Sequence, residues 1–203
     1  MRSLKPRLED LSVIVAGQGG DGSLTVINIL ADVLRSVGLR VYTERDVLSR
    51  IKGGIVAATL RACSKERLGI GSQIDLIVAF DLGAIRKESH RLNNHSIVIY
   101  DNSGGVLPED SGVPKGARVI GIPFGRHAVR AFRRDIYKNS ISSGVVGRLI
   151  GLRDDDMRSA FEKRFARRGD QVLQYNLDAL SVGHKLADEV GLTCNEGLYE
   201  VIS

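Results

Sequence analysis

The sequence predicts an α/β fold: a Rossmann-like, mainly parallel sheet with helices on both faces and a helical C-terminal part. Three observations carry this prediction. Short, nearly continuous apolar runs recur through the first 123 residues, as expected of strands buried on both faces. The first run, "LSVIVAG" (11–17), meets a glycine-rich turn and then a segment with apolar residues at helical spacing. After Pro123 the composition changes, and the segments up to residue 190 read as helices or helical fragments.

Each element has its own justification. The segment "LTVINILADVLRSVG" repeats apolar residues at Val26, Leu30, Val33, Leu34 and Val37, and Gly38 stands where a helix C-terminus favours glycine. Further strands are expected at 39–45, 55–63, 75–81, 96–102 and 117–123. No helical pattern lies between 45 and 63, so strands 39–45 and 55–63 should form a hairpin-like or irregular pair around "SRIKGG" (49–54). In the last third, "RHAVRAFRRDIYKN", "SSGVVGRLIGL", "DDDMRSAFEKRFARR" and "QVLQYNLDALSVGHKLADEV" read as helical. Asp154 to Asp156 sit where a helix start favours negative charge. There is no internal repeat and no long linker, so residues 1–203 are read as a single domain.

Composition narrows the function classes. The chain has 203 residues, 43% of them hydrophobic and 26% charged, enough to bury a real core. Aromatic residues are 5% and tryptophan is absent, which argues against base stacking and a nucleic-acid partner. The net charge of +5 is modest and is read as a solvated basic surface. Cys63 and Cys194 form no C-x-x-C pair, so this chain alone cannot hold a four-cysteine iron–sulfur cluster. The N-terminal stretch lacks a signal-peptide core, and no apolar run approaches the roughly 20 residues that span a bilayer, so a cytoplasmic location without a membrane partner is expected.

Two short segments carry the chemistry. "GQGGDG" sets Gly17, Gly19 and Gly22 in G-x-G-x-x-G register, with Gly20 and Asp21 between, after a strand and before a helix. Glycines admit a ligand to the backbone, and N–H groups at a helix N-terminus favour an anion. Glu44, one βα unit later, is where a dinucleotide fold places an acid for a ribose hydroxyl. Asp21 is able to cap the helix, yet it would repel a phosphate aimed at the same N–H groups. The second segment is "SRIKGG". Arg50 and Lys52, followed by Gly53 and Gly54, should reach the same carboxyl edge of the sheet and resemble a phosphate clamp, with arginine as a fork and lysine as a point charge.

Other residues carry less. His90, His95, His127 and His184 have no metal-ligand spacing, so no metal site is expected. Cys63 follows an apolar strand and is read as buried. The basic run Arg126, His127, Arg130, Arg133, Arg134 and Lys138 is read as a solvated helix face, with a subunit or anion contact as the alternative. No Ser-His-Asp order, paired-acid constellation or P-loop occurs, so no catalytic residue is assigned to this chain.

Taken in order, these segments resemble the gamma subunit, or gamma domain, of 2-oxoacid:ferredoxin oxidoreductases. The resemblance runs through "GQGGDG", with Asp21 where glutamine is commoner, then "SRIKGG" leading into "IVAATLR", then "DLIVAFD" with Asp81, then "YDNSG". It continues through "YKNSISSGVVGRLIGL", "FEKRF" and "YNLDALSVGHKLA", including Asn139, Asn176, Ala179 and Gly183, and covers about residues 11 to 188. It implies a subunit of a complex that oxidatively decarboxylates a 2-oxoacid to an acyl-CoA and passes electrons to ferredoxin. It implies alpha and beta subunits as partners, with a ferredoxin-like delta subunit as a further candidate. Thiamine diphosphate and iron–sulfur clusters would sit on those partners. Coenzyme A would be a shared co-substrate, its phosphates met by Gly17, Gly19, Gly20, Asp21, Gly22, Arg50, Lys52, Gly53 and Gly54. The alternative reading is a stand-alone NAD-type dinucleotide-binding protein, resting on the glycines and Glu44.

Overall fold

The computed structural model describes residues 3–6, 9–47, 54–192 and 199–202. Its centre is a six-stranded sheet of β2 (Asp10–Gln18), β3 (Arg40–Val47), β4 (Ile55–Cys63), β5 (Ile74–Ala79), β6 (Leu92–Asp101) and β7 (Arg118–Ile122). The spatial order is β3-β4-β2-β5-β6-β7. β2, β5, β6 and β7 pair in parallel, whereas β4 runs antiparallel to both β2 and β3. β4 is therefore the one reversed strand of this sheet. The expected hairpin-like pair is present: β3 and β4 are antiparallel, with Val47 opposite Val56 at the carboxyl edge. A second, two-stranded sheet pairs β1 (Ser3–Pro6) with β8 (Tyr199–Ile202). Four-residue strands carry too few residues for a readable alternation, so this pair is absent from the sequence reading.

Alternate residues of β2 feed two cores. Val13 and Val15 join Leu30 and Leu34 of α1 (Ser23–Ser36), Phe124 of α3 (Phe124–Phe132), Ile141 of α4 (Lys138–Leu149) and Phe161 of α5 (Asp154–Phe165). On the other face Ile14 and Ala16 meet Ile77 and the Ala84–Ile85 pair of α2 (Leu82–Glu88). Each fully buried Ile or Leu stabilises the fold by about 1.5–3 kcal/mol relative to an exposed one. Helices thus cover both faces, but unequally. The larger face carries the C-terminal helices, including α6 (Asp170–Glu189).

Helix ends follow the expected chemistry. Gly38, at φ 91°, sends its N–H to Arg35 and the next N–H, of Leu39, returns to Leu34, the Schellman pattern. Asp154, Asp155 and Asp156 occupy the first turn of α5. Helix α4 is buried on nearly every side. It crosses α6 backbone to backbone, because a β-carbon on Gly144 would overlap the Leu180 carbonyl and one on Gly183 the Ile141 carbonyl. The basic run does not form one solvated face. α3 stops at Phe132, Arg133 adopts φ 61°, and a 3-10 turn over Asp135–Tyr137 leads into α4, where Lys138 is buried.

Candidate anion-binding site

β2 and β5 are neighbours from which the chain departs in opposite directions across the sheet, so their carboxyl ends form the crevice where open α/β sheets take ligands. The glycine-rich turn leaves β2 at this point. Gly22 sits at φ 84°, ψ 17° as the N-cap of α1, a left-handed conformation that costs a side chain dearly. A β-carbon there would also overlap the Asn139 amide. The Thr25 and Val26 N–H groups both point to the Gly22 carbonyl. The N–H groups of Gly22, Ser23 and Leu24 are left without a backbone acceptor among the described residues. Three donors without a backbone acceptor among the described residues, at the positive end of a 14-residue helix, favour an anion.

Asp21 does not cap the helix. Its Oδ2 accepts the Gln18 N–H at 2.7 Å, and its Oδ1 accepts from Lys138 Nζ at 2.8 Å. The expected N-cap role fails because the turn folds the carboxylate back toward the strand. Across the crevice, Gln18 Nε2 donates to Asp81 Oδ2 at 2.9 Å, while Asp81 Oδ1 accepts the Gly83 N–H and caps α2. Asp101, at the end of β6, accepts the N–H groups of Ser103 and Gly125 at 2.9 Å each. These acids are therefore spent on backbone donors, on the Gln18 side-chain amide and on one lysine. Buried Ser23 Oγ and Asn139 Oδ1 have no hydrogen-bond partner among the described residues, leaving polar capacity beside the turn.

The basic loop is anchored to the same place. The Gly19 N–H donates to the Gly54 carbonyl at 3.0 Å, and a β-carbon on Gly19 would stand 3.6 Å from that oxygen. Arg50, Lys52 and Gly53 lie outside the described residues. Gly17, Gly19, Gly20, Asp21, Gly22 and Gly54 come together at the carboxyl edge. Glu44 does not. β4 is inserted between β2 and β3, which places exposed Glu44 two strands away, about 10 Å laterally at ordinary strand spacing. The ribose acid of a dinucleotide site is not where that reading needs it.

The sequence reading missed Gln18 and misjudged Lys138. The latter's partner Asp21 is 117 residues away, a separation with no local signal; the one hint is Lys138 beside Asn139, a residue that carried the resemblance. Cys63 is buried, as expected, and desolvation pushes its thiol up. Among the described residues no three His, Cys, Asp or Glu side chains converge as metal ligands would. No helix among them is long and apolar enough to cross a membrane.

Fold and site together define an α/β domain that presents a helix N-terminus and a glycine-rich turn at the switch point of a mixed sheet. Residues 12–186 match the pyruvate ferredoxin/flavodoxin oxidoreductase family, and the chain belongs to that family. It is 30% identical over 93 residues to the alpha subunit of a 2-oxoacid:ferredoxin oxidoreductase from a Sulfolobus species, a match covering 46% of this chain and 14% of that subunit. It superposes with TM-score 0.82 and 27% identity on a 2-oxoglutarate:ferredoxin oxidoreductase from Magnetococcus marinus, solved with 2-oxoglutarate, coenzyme A and succinyl-CoA bound. That match covers 90% of this chain and 32% of the other. The gamma subunit of a keto/oxoacid ferredoxin oxidoreductase from Geobacter sulfurreducens shares the fold at TM-score 0.75 and 17% identity, covering 92% of this chain and 100% of that one. A pyruvate oxidoreductase subunit from Thermotoga maritima does so at 0.72 and 17%, covering 88% and 97%.

Proposed function

We propose that this chain is the gamma subunit of a 2-oxoacid:ferredoxin oxidoreductase and supplies part of its coenzyme A site. In this reading residues 1–203 are one gamma-type domain, working in the cytoplasm. Alpha and beta subunits supply thiamine diphosphate and iron–sulfur chemistry, with a ferredoxin-like subunit as a further candidate partner and ferredoxin as acceptor. The complex converts a 2-oxoacid and coenzyme A to an acyl-CoA, carbon dioxide and a proton, and two electrons leave toward ferredoxin. This chain contributes no catalytic residue; it binds and orients.

One observation carries the reading: N–H groups at the start of α1, without a backbone acceptor among the described residues, stand beside a turn that is hydrogen-bonded to Gly54 at the end of the basic loop. Chain connectivity holds Lys52 within two residues of Gly54 and Arg50 within four. In this reading Arg50 and Lys52 supply an arginine fork and a lysine point charge for a phosphate on the helix N-terminus. Glycine at positions 17, 19, 20 and 22 keeps side chains out of its way, and the unpartnered Ser23 and Asn139 oxygens offer further polar contacts. The coenzyme A held by the Magnetococcus marinus relative supports the choice of ligand.

The test is the Arg50→Ala, Lys52→Ala double variant in the complex that co-purifies with this chain. Two lost charge-assisted contacts should raise the apparent coenzyme A requirement by about 10- to 100-fold and leave the 2-oxoacid requirement nearly unchanged. Equal effects on both substrates, or none, would sink the clamp. If the chain purifies alone, shows no coenzyme A-dependent oxidation of 2-oxoacids and binds NADH, the subunit reading falls with it.

A further inference from the structure

We infer that Lys138 is a positioning residue for the anion site: it holds the Asp21 carboxylate against the base of the turn and offsets part of its charge, the same ammonium being shared with Asp135. This rests on the reading of the turn as a coenzyme A phosphate site. It answers the objection raised by a carboxylate next to helix N–H groups that should meet phosphate.

The geometry is specific. Lys138 opens helix α4, and its side chain is only 9% exposed. Its Nζ lies 2.8 Å from Asp21 Oδ1, 2.7 Å from Asp135 Oδ2 and 5.4 Å from the centre of the Phe80 ring. Two donors are spent on carboxylates, and the ammonium also faces an aromatic ring. Such a lysine is not placed to contact a ligand; it acts through Asp21. The other Asp21 oxygen accepts the Gln18 N–H, so the carboxylate is pinned at both ends. The next residue, Asn139, lies under Gly22, so the first turn of α4 props the glycine-rich turn from below. Remove Lys138 and Asp21 becomes an unopposed negative charge immediately before the α1 donors. A like charge some 6 Å from a phosphate at a near-surface dielectric weakens binding about 10- to 100-fold.

The test is a set of variants in the co-purifying complex. It reads coenzyme A affinity by calorimetry, apparent KM for each substrate, and Tm. Lys138→Met should weaken coenzyme A binding about 10- to 100-fold and raise its KM far more than that of the 2-oxoacid. Adding Asp21→Asn to Lys138→Met should recover at least 10-fold of that loss, because the uncompensated charge is gone. Lys138→Arg should restore most of the affinity, and Asp21→Asn alone should tighten binding. A merely structural lysine predicts otherwise: the double variant binds no better than Lys138→Met, and affinity falls only in step with Tm. That result overturns the inference, as does weaker binding by Asp21→Asn. If Lys138→Met does not fold, Asp21→Asn and Lys138→Arg decide by the same signs. Wild-type complex with no affinity for coenzyme A refutes the reading of the site. Wild-type binding that Lys138→Met leaves unchanged refutes only the inference.

Discussion

At the amino edge of the sheet, Asp10 lies between Arg61 and Arg67; at the carboxyl edge, Asp21 lies against Lys138. Each pairs a carboxylate with a cation, but two arginines share Asp10 whereas one lysine is shared by Asp21 and Asp135. Arg61 reaches Asp10 through two nitrogens, at 2.8 and 2.6 Å, and Arg67 adds a third contact at 3.1 Å. Lys138 reaches Asp21 at 2.8 Å. What surrounds them differs. Asp10 opens β2 and Arg61 sits on the adjacent β4, so that pair fastens two strands that are already hydrogen-bonded. Asp21 precedes a helix with free N–H groups, and its pair connects a turn to a helix far along the chain. An ion pair becomes part of a site only where unsatisfied donors and room for a ligand lie beside it.

The largest expected effect breaks the carboxyl edge itself. Gly22→Val puts a branched side chain at φ 84° and into Asn139; it should cost about 3 kcal/mol of stability and abolish measurable coenzyme A binding. Chemical denaturation and calorimetry check both. If Gly22→Val binds coenzyme A normally, the turn is not the site and the two edges are equivalent.

Arg61→Met tests the other edge. Losing a bidentate charge-assisted pair that is 18% and 29% exposed should cost about 1–2 kcal/mol after screening, without changing the coenzyme A requirement. A shift in that requirement would erase the distinction. The pair also has a pH signature. Hydrogen bonding from Arg61, opposed by desolvation, holds the Asp10 carboxyl below its ordinary 3.8. Its stabilisation is present above that value and disappears as pH falls through the lower folded one. Acid unfolding of Arg61→Met should therefore show a shallower loss below about pH 4.

The smallest effect lies at neither edge and serves as a control. His184 on α6 faces Asp154, Arg148 and Asp188. Burial lowers its proton affinity below the ordinary 6.5, with Asp154 pulling the other way. The unfolded chain then binds the proton more readily, so stability should fall as pH drops below 6.5 toward the folded value. His184→Gln should remove that dependence, read as the loss of the Tm decrease between about pH 7.5 and 5. A coenzyme A effect at this remote position would point to general destabilisation as the cause at the turn as well.

What the sequence determined by itself was everything set by local pattern. Apolar runs located the inner strands of the central sheet, because side chains buried on both faces leave near-continuous hydrophobic segments, whereas the exposed edge strand β3 carries a mixed segment. The lack of helical spacing between 45 and 63 showed the β3–β4 hairpin, and Gly38 and Asp154 to Asp156 marked helix ends by their fixed backbone and dipole preferences. "GQGGDG" between a strand and a helix pointed to the candidate site. Tertiary structure alone decided the rest. The insertion of β4 between β2 and β3, which carries Glu44 away from the turn, depends on strand order, and strand order leaves no mark in local periodicity. The turning back of Asp21 and the burial of Lys138 depend on two segments 117 residues apart meeting. A charged residue reads as solvated until its partner is known, because the balance between desolvation and pairing is struck only in the folded chain.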